Sequence, residues 1–250
     1  MIPSQQLSKQ DIAGIRSVCP LCQQSNGQSS FCTTNYAPMA IRSHATVNNQ
    51  SHEANFRHCS MCDLGYFYPL PDDAFFNAFY GVDSHANSPE VQEQILSDYE
   101  KRRRIWQNSA MAQTLDFIAS HNIDIHKIRQ GRSVDVGSGQ GDFIGFANNA
   151  GYHFEAIEPV PANCRFIEKK FKTKAFCGML DDVPVSENGQ FSLVYSSHSL
   201  EHHKSPLKTL HKFYDLLQDG GVLFISVPNL HSFAFQQLPL QHPYTNPRSK

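Results

Sequence analysis

Ser133-Val134-Asp135-Val136-Gly137-Ser138-Gly139-Gln140-Gly141 decides how this chain of 250 residues folds. Its first residues read as a short buried strand. Three glycines then make a tight turn, and Phe143, Ile144, Phe146 and Ala147 continue as an apolar helix. A glycine turn lets backbone approach a ligand where a Cβ would intrude. The helix start behind it presents unpaired N–H groups to that ligand. The next strand, Phe154-Glu155-Ala156-Ile157-Glu158, ends in a carboxylate about 20 residues beyond the first glycine, a placement that suits a ribose diol. The unit therefore reads as a site for an adenosine-containing cofactor. A tight strand-to-helix turn that binds nothing is the plainer alternative.

Outward from this unit, strands and helices alternate. Strands are predicted at 133–136, 154–158, 175–177, 191–195 and 222–227. Helices are predicted at about 142–150, 161–171 and 204–217, the last closed by Asp219-Gly220-Gly221. Such alternation predicts an α/β fold, a doubly wound and mostly parallel sheet with right-handed crossovers. Upstream, Ile95, Tyr99, Trp106, Ala110 and Phe117 recur at helical spacing, which predicts a long helix from about Glu90 to Ser120. Lys101-Arg102-Arg103-Arg104 inside it is read as a solvated face in preference to an anion-binding patch. A short helix is predicted over Asp72–Tyr80. The implied organisation is a flexible tail at 1–17, a small module at 18–71, a helical linker and lid at 72–130, and a cofactor-binding core at 131–250.

Charge is nearly balanced, with 21 Lys and Arg against 23 Asp and Glu. That argues against bulk nucleic acid as a partner. No apolar run is long enough to span a membrane and no signal-peptide pattern stands at Met1, so a cytoplasmic location is expected. The module at 18–71 holds five of the seven cysteines and few apolar residues. It is too small to fold on its core alone and needs a staple. Cys19-Pro20-Leu21-Cys22 and Cys59-Ser60-Met61-Cys62 are two Cys-x-x-Cys knuckles. Four thiolates at these positions close a tetrahedral shell, which implies a structural Zn2+ rather than a catalytic one. Cys32, His44, His52 and His58 are nearby substitutes. Cys164 and Cys177 are expected to be ordinary buried cysteines.

The glycine spacing separates two cofactors. A dinucleotide site wants Gly-x-Gly-x-x-Gly with a small third residue beside the pyrophosphate. Here Gly137, Gly139 and Gly141 are followed by Asp142, whose carboxylate would repel a pyrophosphate. A sulfonium cofactor has no phosphate, and its methionine part carries an ammonium that Asp135 is placed to face. The pattern thus favours S-adenosylmethionine over a nicotinamide dinucleotide.

The order Val-Asp-Val-Gly-Ser-Gly-Gln-Gly, Ile-Glu-Pro, Phe-Ser-Leu-Val-Tyr-Ser-Ser-His-Ser-Leu-Glu-His-His, then Gly-Gly-Val-Leu-Phe-Ile-Ser-Val-Pro-Asn resembles class I S-adenosylmethionine-dependent methyltransferases over about 133–230. The Cys-Pro-Leu-Cys and Cys-Ser-Met-Cys-Asp-Leu-Gly-Tyr-Phe-Tyr-Pro-Leu-Pro pieces are similar to the zinc-binding N-terminal domain of nucleotide-sugar C-methyltransferases and relatives. The resemblance implies roles. Asp135, Gly137, Ser138, Gly139 and Gly141 match the motif around the methionine part. Glu158 and Pro159 match the ribose-binding end of the second strand. Met179 and Leu180 match the loop beside adenine, and Ser196 matches the methyl-transfer face after the fourth strand.

Carbon and oxygen acceptors must also lose a proton, and histidine suits that role near neutral pH. His202 and His198 are the candidate bases, with Tyr80 and His231 as weaker substrate contacts. A structural role for Glu201 and His202 at the following helix start is the competing assignment. Past Val227 only 23 residues follow, four of them proline, which cannot supply the usual last two strands. A shortened core or a fragment is therefore expected, its last strand an exposed edge covered by a second copy or by the tail, or else left in a truncated protein with weak or no activity. The expected activity is methyl transfer to a small polar metabolite, with a nucleotide sugar as the candidate the resemblance implies. The alternatives are a zinc and cofactor-binding scaffold without catalysis, or a methyltransferase acting on a macromolecule.

Overall fold

The structure is a computed structural model, and it describes residues 18–25, 28–36, 52–68, 93–94, 97, 99, 101, 110–121 and 123–229. The predicted tail at 1–17, the helix over Asp72–Tyr80, Arg102 to Arg104, Tyr80, His231 and the proline-rich C-terminal stretch lie outside the described residues. The chain divides into two compact units. One comprises Met1–Asp72 with Lys204–Leu207 and Asn229–Lys250, the other Asp73–His203 with Lys208–Pro228.

In the first unit, β1 (Gln28–Tyr36), β2 (His52–Cys59) and β3 (Gly65–Tyr68) form an antiparallel sheet in that order. The Ser, Thr and Asn content of β1 hides its strand character in the sequence. Among the described residues, Cys19, Cys59 and Tyr66 form a buried apolar cluster with Leu21, Leu64 and Tyr68 packed around them, and Arg57 is buried as well.

The second unit is built on a five-stranded parallel sheet. Its strands are β4 (Arg132–Val136), β5 (Phe154–Glu158), β6 (Ala175–Cys177), β7 (Phe191–Ser197) and β8 (Leu217–Ser226), in the order β6-β5-β4-β7-β8. The helices are α1 (Ala110–Ser120), α2 (Ile125–Gln130), α3 (Asp142–Asn149), α4 (Pro161–Phe171) and α5 (Pro206–Leu216). One core joins Leu115, Ile118, Ile128, Phe143, Ile144 and Ile167 from α1 to α4 against one face. The other joins Val134, Val136 and Val194 to Leu180, Val183, Phe213 and Leu216 on the opposite face. Covered on both sides, the central strands β4 and β7 are buried on both faces, and that burial takes in the polar residues Ser133, Asp135, Ser192 and Ser196 as well as the apolar ones.

β8 departs from expectation. It begins at Leu217, directly after α5, where the sequence predicts a helix closed by Asp219-Gly220-Gly221. Those residues instead make an irregularity inside the strand. The register jumps from Phe191 opposite Leu217 to Leu193 opposite Val222, and Gly220 takes φ +68°. A glycine in the left-handed region serves a bulge as readily as a helix end. Among the described residues β8 pairs on one side, with β7.

Candidate active site

The glycine turn stands where β4 leaves the sheet. Gly137, Gly139 and Gly141 all take positive φ, at +76°, +55° and +72°. A Cβ on Gly137 would lie 2.1 Å from Ser199 Oγ and 2.6 Å from Ser199 Cβ. So Gly137 is glycine because the loop after β7 presses on it. A Cβ on Gly139 would meet nothing within 4 Å. Gly139 borders open space, and beside it Ser138 Oγ is buried with no hydrogen-bond partner. An open cradle next to an unsatisfied hydroxyl fits a polar ligand lying along the turn.

Aromatic stacking holds α3 at this position. Phe143, in its first turn, stacks on Tyr195 of β7 at 3.8 Å and 5°, and Tyr195 stacks in turn on Phe224 of β8. Burial and the nearby Asp135 charge push the Tyr195 phenol up to about 12, so it stays neutral.

Three carboxylates converge on the turn. Asp135 is buried, and its carboxyl is held well above the usual range by burial, then by the charges of Glu158 and Asp142. Glu158 is also buried and raised by burial, against the pull of its hydrogen bonds. Its Oε2 accepts from Gly139 N–H at 2.8 Å, and its Oε1 accepts from Val160 N–H and Asn163 Nδ2 at 3.1 Å each. A carboxylate offers about four lone-pair sites. A vicinal diol here would take the remaining one and compete with Gly139 for another. Asn163 was not anticipated from sequence. The local signal was its place in the first turn of a helix opening on Pro161, five residues past Glu158.

The remaining predicted residues divide. Met179 is exposed, whereas Leu180 is packed into the core beside Val183, so Met179 alone of the pair is open to a ring. Pro159 is half-buried. Ser196 is fully buried with an unpartnered hydroxyl. It points into the face shared with Val194, because Tyr195 points to the α3 side and residues alternate along a strand.

After β7 the chain is tied down at several points. His198 adopts φ +53°, and its N–H donates to Ser226 O at 2.9 Å. Its Nδ1 lies 3.6 Å from Glu201 Oε1. His202 N–H donates to Ser199 O at 2.9 Å, and His203 Nε2 lies 3.4 Å from Ser199 Oγ. Partial desolvation by the surrounding loop lowers the pKa of both His203, which is half-buried, and His202, whose surface is largely exposed. For His202 the Glu201 charge opposes and His198 adds to the lowering. Both imidazoles are therefore neutral near pH 7, the state a base requires.

In the N-terminal unit the two knuckles repeat one geometry. Cys19 N–H donates to Gln24 O and Gln23 N–H to Cys19 O. Cys59 N–H donates to Leu64 O and Asp63 N–H to Cys59 O. Gln23 and Asp63, one residue past each knuckle, share φ of +60° and +62°. The four sulfurs lie within 4.8 Å of one another, and Cys19–Cys62 and Cys22–Cys59 are each 3.6 Å apart. Zinc–sulfur bonds of about 2.3 Å in a tetrahedron put sulfurs about 3.8 Å apart. The cluster fits that ion. Burial raises the Cys19 thiol and pushes the Cys62 thiol up to about 12, while backbone N–H groups of Cys22 and Leu21 at Cys19, and of Leu64 at Cys62, pull the other way. His58 instead pairs with Asp63 at 2.6 Å. Of the other substitutes, His44 lies outside the described residues.

Comparison with known proteins brings these features together. A family profile described as a methyltransferase domain matches residues 99–250. A search of curated proteins returned no match. Among solved structures, a protein of Methanococcus maripaludis provisionally named an S-adenosyl-L-methionine-dependent methyltransferase is 15% identical, with a TM-score of 0.45, over 61% of this chain and 74% of its own. An S-adenosylmethionine-dependent methyltransferase of Archaeoglobus fulgidus is 17% identical, with a TM-score of 0.42, over 58% and 65%. Geranyl diphosphate C-methyltransferase of Streptomyces coelicolor is 14% identical, with a TM-score of 0.39, over 56% and 51%. The chain thus spans between half and three-quarters of the length of these structures. With a doubly wound parallel sheet, a glycine turn at its centre and a family match across more than half its length, the chain belongs to the methyltransferase-domain family.

Proposed function

We propose that this protein transfers the methyl group of S-adenosylmethionine to a small polar metabolite, with a nucleotide sugar as the leading acceptor class. The observation that carries the donor is the meeting of Asp135, Asp142 and Glu158 at an open glycine turn. A ligand bearing a sulfonium and an ammonium relieves their mutual repulsion. A pyrophosphate would add to it. Asp135 would face the ammonium, Glu158 the ribose hydroxyls, and Met179 the adenine ring. Ser138 would give its unpartnered hydroxyl to the polar methionine end.

When bound, the cofactor supplies an electrophilic methyl group. This chain's residues have to hold an acceptor in line with it and take its proton. His202, neutral and beside Ser199, is the proposed base, with His198 as the second candidate. Because the base acts deprotonated, kcat/KM should fall on acidification through a value below the usual imidazole range. The N-terminal cysteines Cys19, Cys22, Cys59 and Cys62 would hold a structural Zn2+. The nucleotide-sugar assignment rests on the resemblance of the knuckle segment to the N-terminal domain of those enzymes.

The test combines calorimetry with S-adenosylmethionine and turnover to S-adenosylhomocysteine over a panel of nucleotide sugars. Binding with turnover supports the proposal. Binding with no turnover on nucleotide sugars, peptides or RNA would favour the scaffold alternative. Full turnover by His202→Ala with cofactor still bound would remove His202 from the mechanism.

A further inference from the structure

Cys164 and Cys177 are both expected from sequence to be ordinary buried cysteines, and the structure buries only Cys164. Cys164 is buried in the first turn of α4, whereas Cys177, the last residue of β6, is exposed. Both meet at Glu158. Cys164 Sγ donates to Glu158 O at 3.1 Å, and Gly178 N–H donates to the same oxygen at 3.1 Å. Cys177 is the register partner of Glu158 across the parallel pair. Phe176 packs into the core on the α5 side of the sheet, while Ala175 packs on the α4 side. Alternation therefore places Cys177 on the α4 side, with Cys164. The two side chains interact there, and burial with that interaction pushes the Cys164 thiol up.

We propose that Cys177 and Cys164 form a peroxide-oxidisable thiol pair whose disulfide loosens the nucleoside end of the cofactor site. Cys177 is the accessible thiol. Its thiolate attacks hydrogen peroxide, gaining an S–O bond and releasing hydroxide, which takes up a proton to leave as water. Cys164 then attacks the sulfenic sulfur, and the S–S bond forms as a second water leaves with the Cys164 proton. Two thiols are oxidised by two electrons and one peroxide is reduced. Burial shields Cys164 from direct attack by the oxidant, so it acts as the resolving thiol.

The disulfide has a structural consequence. Glu158 O loses the Cys164 S–H, and the end of β6 is drawn to α4. Gly178 and Met179 follow Cys177 directly. Asn163, which holds Glu158 Oε1, directly precedes Cys164. The bond therefore acts on both sides of the Glu158 carboxylate. This consequence for binding rests on the proposed cofactor site; the thiol chemistry does not.

The experiment treats the full-length protein with dilute hydrogen peroxide and maps cysteines by peptide mass spectrometry, with zinc release monitored in parallel. The expected product is a Cys164–Cys177 linked peptide two mass units below the reduced pair, absent from Cys177→Ser and reversed by dithiothreitol. Cys177→Ser changes an exposed residue, so it keeps the test open even where Cys164→Ser fails to fold. Cys177 oxidised beyond sulfenic acid with no linked peptide, or left unmodified while the knuckle cysteines react, would overturn the pair. Calorimetry then compares S-adenosylmethionine binding before and after oxidation. Weakening by about two- to ten-fold, the range one lost hydrogen bond spans, is expected in the native sequence and not in Cys177→Ser. Equal binding in both states would overturn the coupling. A linked peptide in a protein that binds no cofactor in either state would overturn the cofactor assignment and leave the thiol pair standing.

Discussion

Gly137→Ala and Gly139→Ala, two changes of one methyl group two residues apart, should fail in different ways. Both glycines have positive φ, so each alanine pays left-handed backbone strain of about 1–2 kcal/mol. At Gly137 the new methyl would also sit 2.1 Å from Ser199 Oγ, deep inside van der Waals contact. Overpacking of that kind costs about 1–3 kcal/mol. The sum is about 2–5 kcal/mol for Gly137→Ala against about 1–2 for Gly139→Ala. In a protein of this size 1 kcal/mol moves Tm by roughly 2–4 °C. Gly139→Ala should therefore melt within a few degrees of the parent, and Gly137→Ala clearly below it. Cofactor binding should show the reverse contrast, since Gly139 faces open space and its methyl would occupy the ligand's path. Urea unfolding with calorimetry reads both quantities. A Ser199→Gly background isolates the clash, because in it Gly137→Ala should lose the overpacking share of its cost. Equal costs at the two glycines, or full cofactor affinity in Gly139→Ala, would refute the assignment of Gly137 to packing and Gly139 to binding.

Asp135→Asn should stabilise the cofactor-free protein and abolish cofactor binding. The native carboxyl is raised, so the folded state binds more protons than the unfolded one from the ordinary carboxylate pKa up to the raised value. Stability is lost as pH rises through that window, and an amide escapes the loss; thermal melts of the cofactor-free protein between pH 4 and 8 check the sign. Glu187 behaves oppositely: Lys174 at 2.8 Å and Arg132 at 2.9 Å lower its pKa. Its contribution should be present above the ordinary glutamate pKa and vanish as pH falls through the lowered one, so Glu187→Gln should flatten the acid limb of the stability profile. Gly145→Ala should destabilise the fold by about 1–3 kcal/mol, since its methyl would meet Phe171 Cε1 at 2.5 Å, a cost read by urea unfolding. Cys59→Ser should cost one bound zinc per chain by native mass spectrometry and should melt β1 to β3 while leaving the parallel sheet intact.

The parallel sheet was legible because short strand-like segments alternate with helical ones, with glycine or proline at their ends. β5, β6 and α4 fall where the residue pattern places them, since Pro161 and the Glu158–Pro159 break leave little freedom. β8 was misjudged at its start because Gly220 serves a bulge and a helix end equally well, and only pairing with β7 decides between them. β1 was missed because Ser, Thr and Asn carry no apolar period, and its strand state comes from pairing with β2. The glycine turn, the carboxylates and the knuckles were readable as motifs. That Ser199 dictates Gly137 and that Leu180 belongs to the core are three-dimensional facts, whereas the Asn163 clamp on Glu158 lies only five residues along the chain and was open to a local reading.

Titration calorimetry of the zinc-loaded, full-length protein with S-adenosylmethionine and, separately, with NADH tests the central claim most directly. A one-to-one complex with S-adenosylmethionine, lost in Asp135→Asn, and no heat from NADH is the expected result. Binding of NADH with none of S-adenosylmethionine would contradict the assignment of the three-carboxylate turn to a sulfonium cofactor.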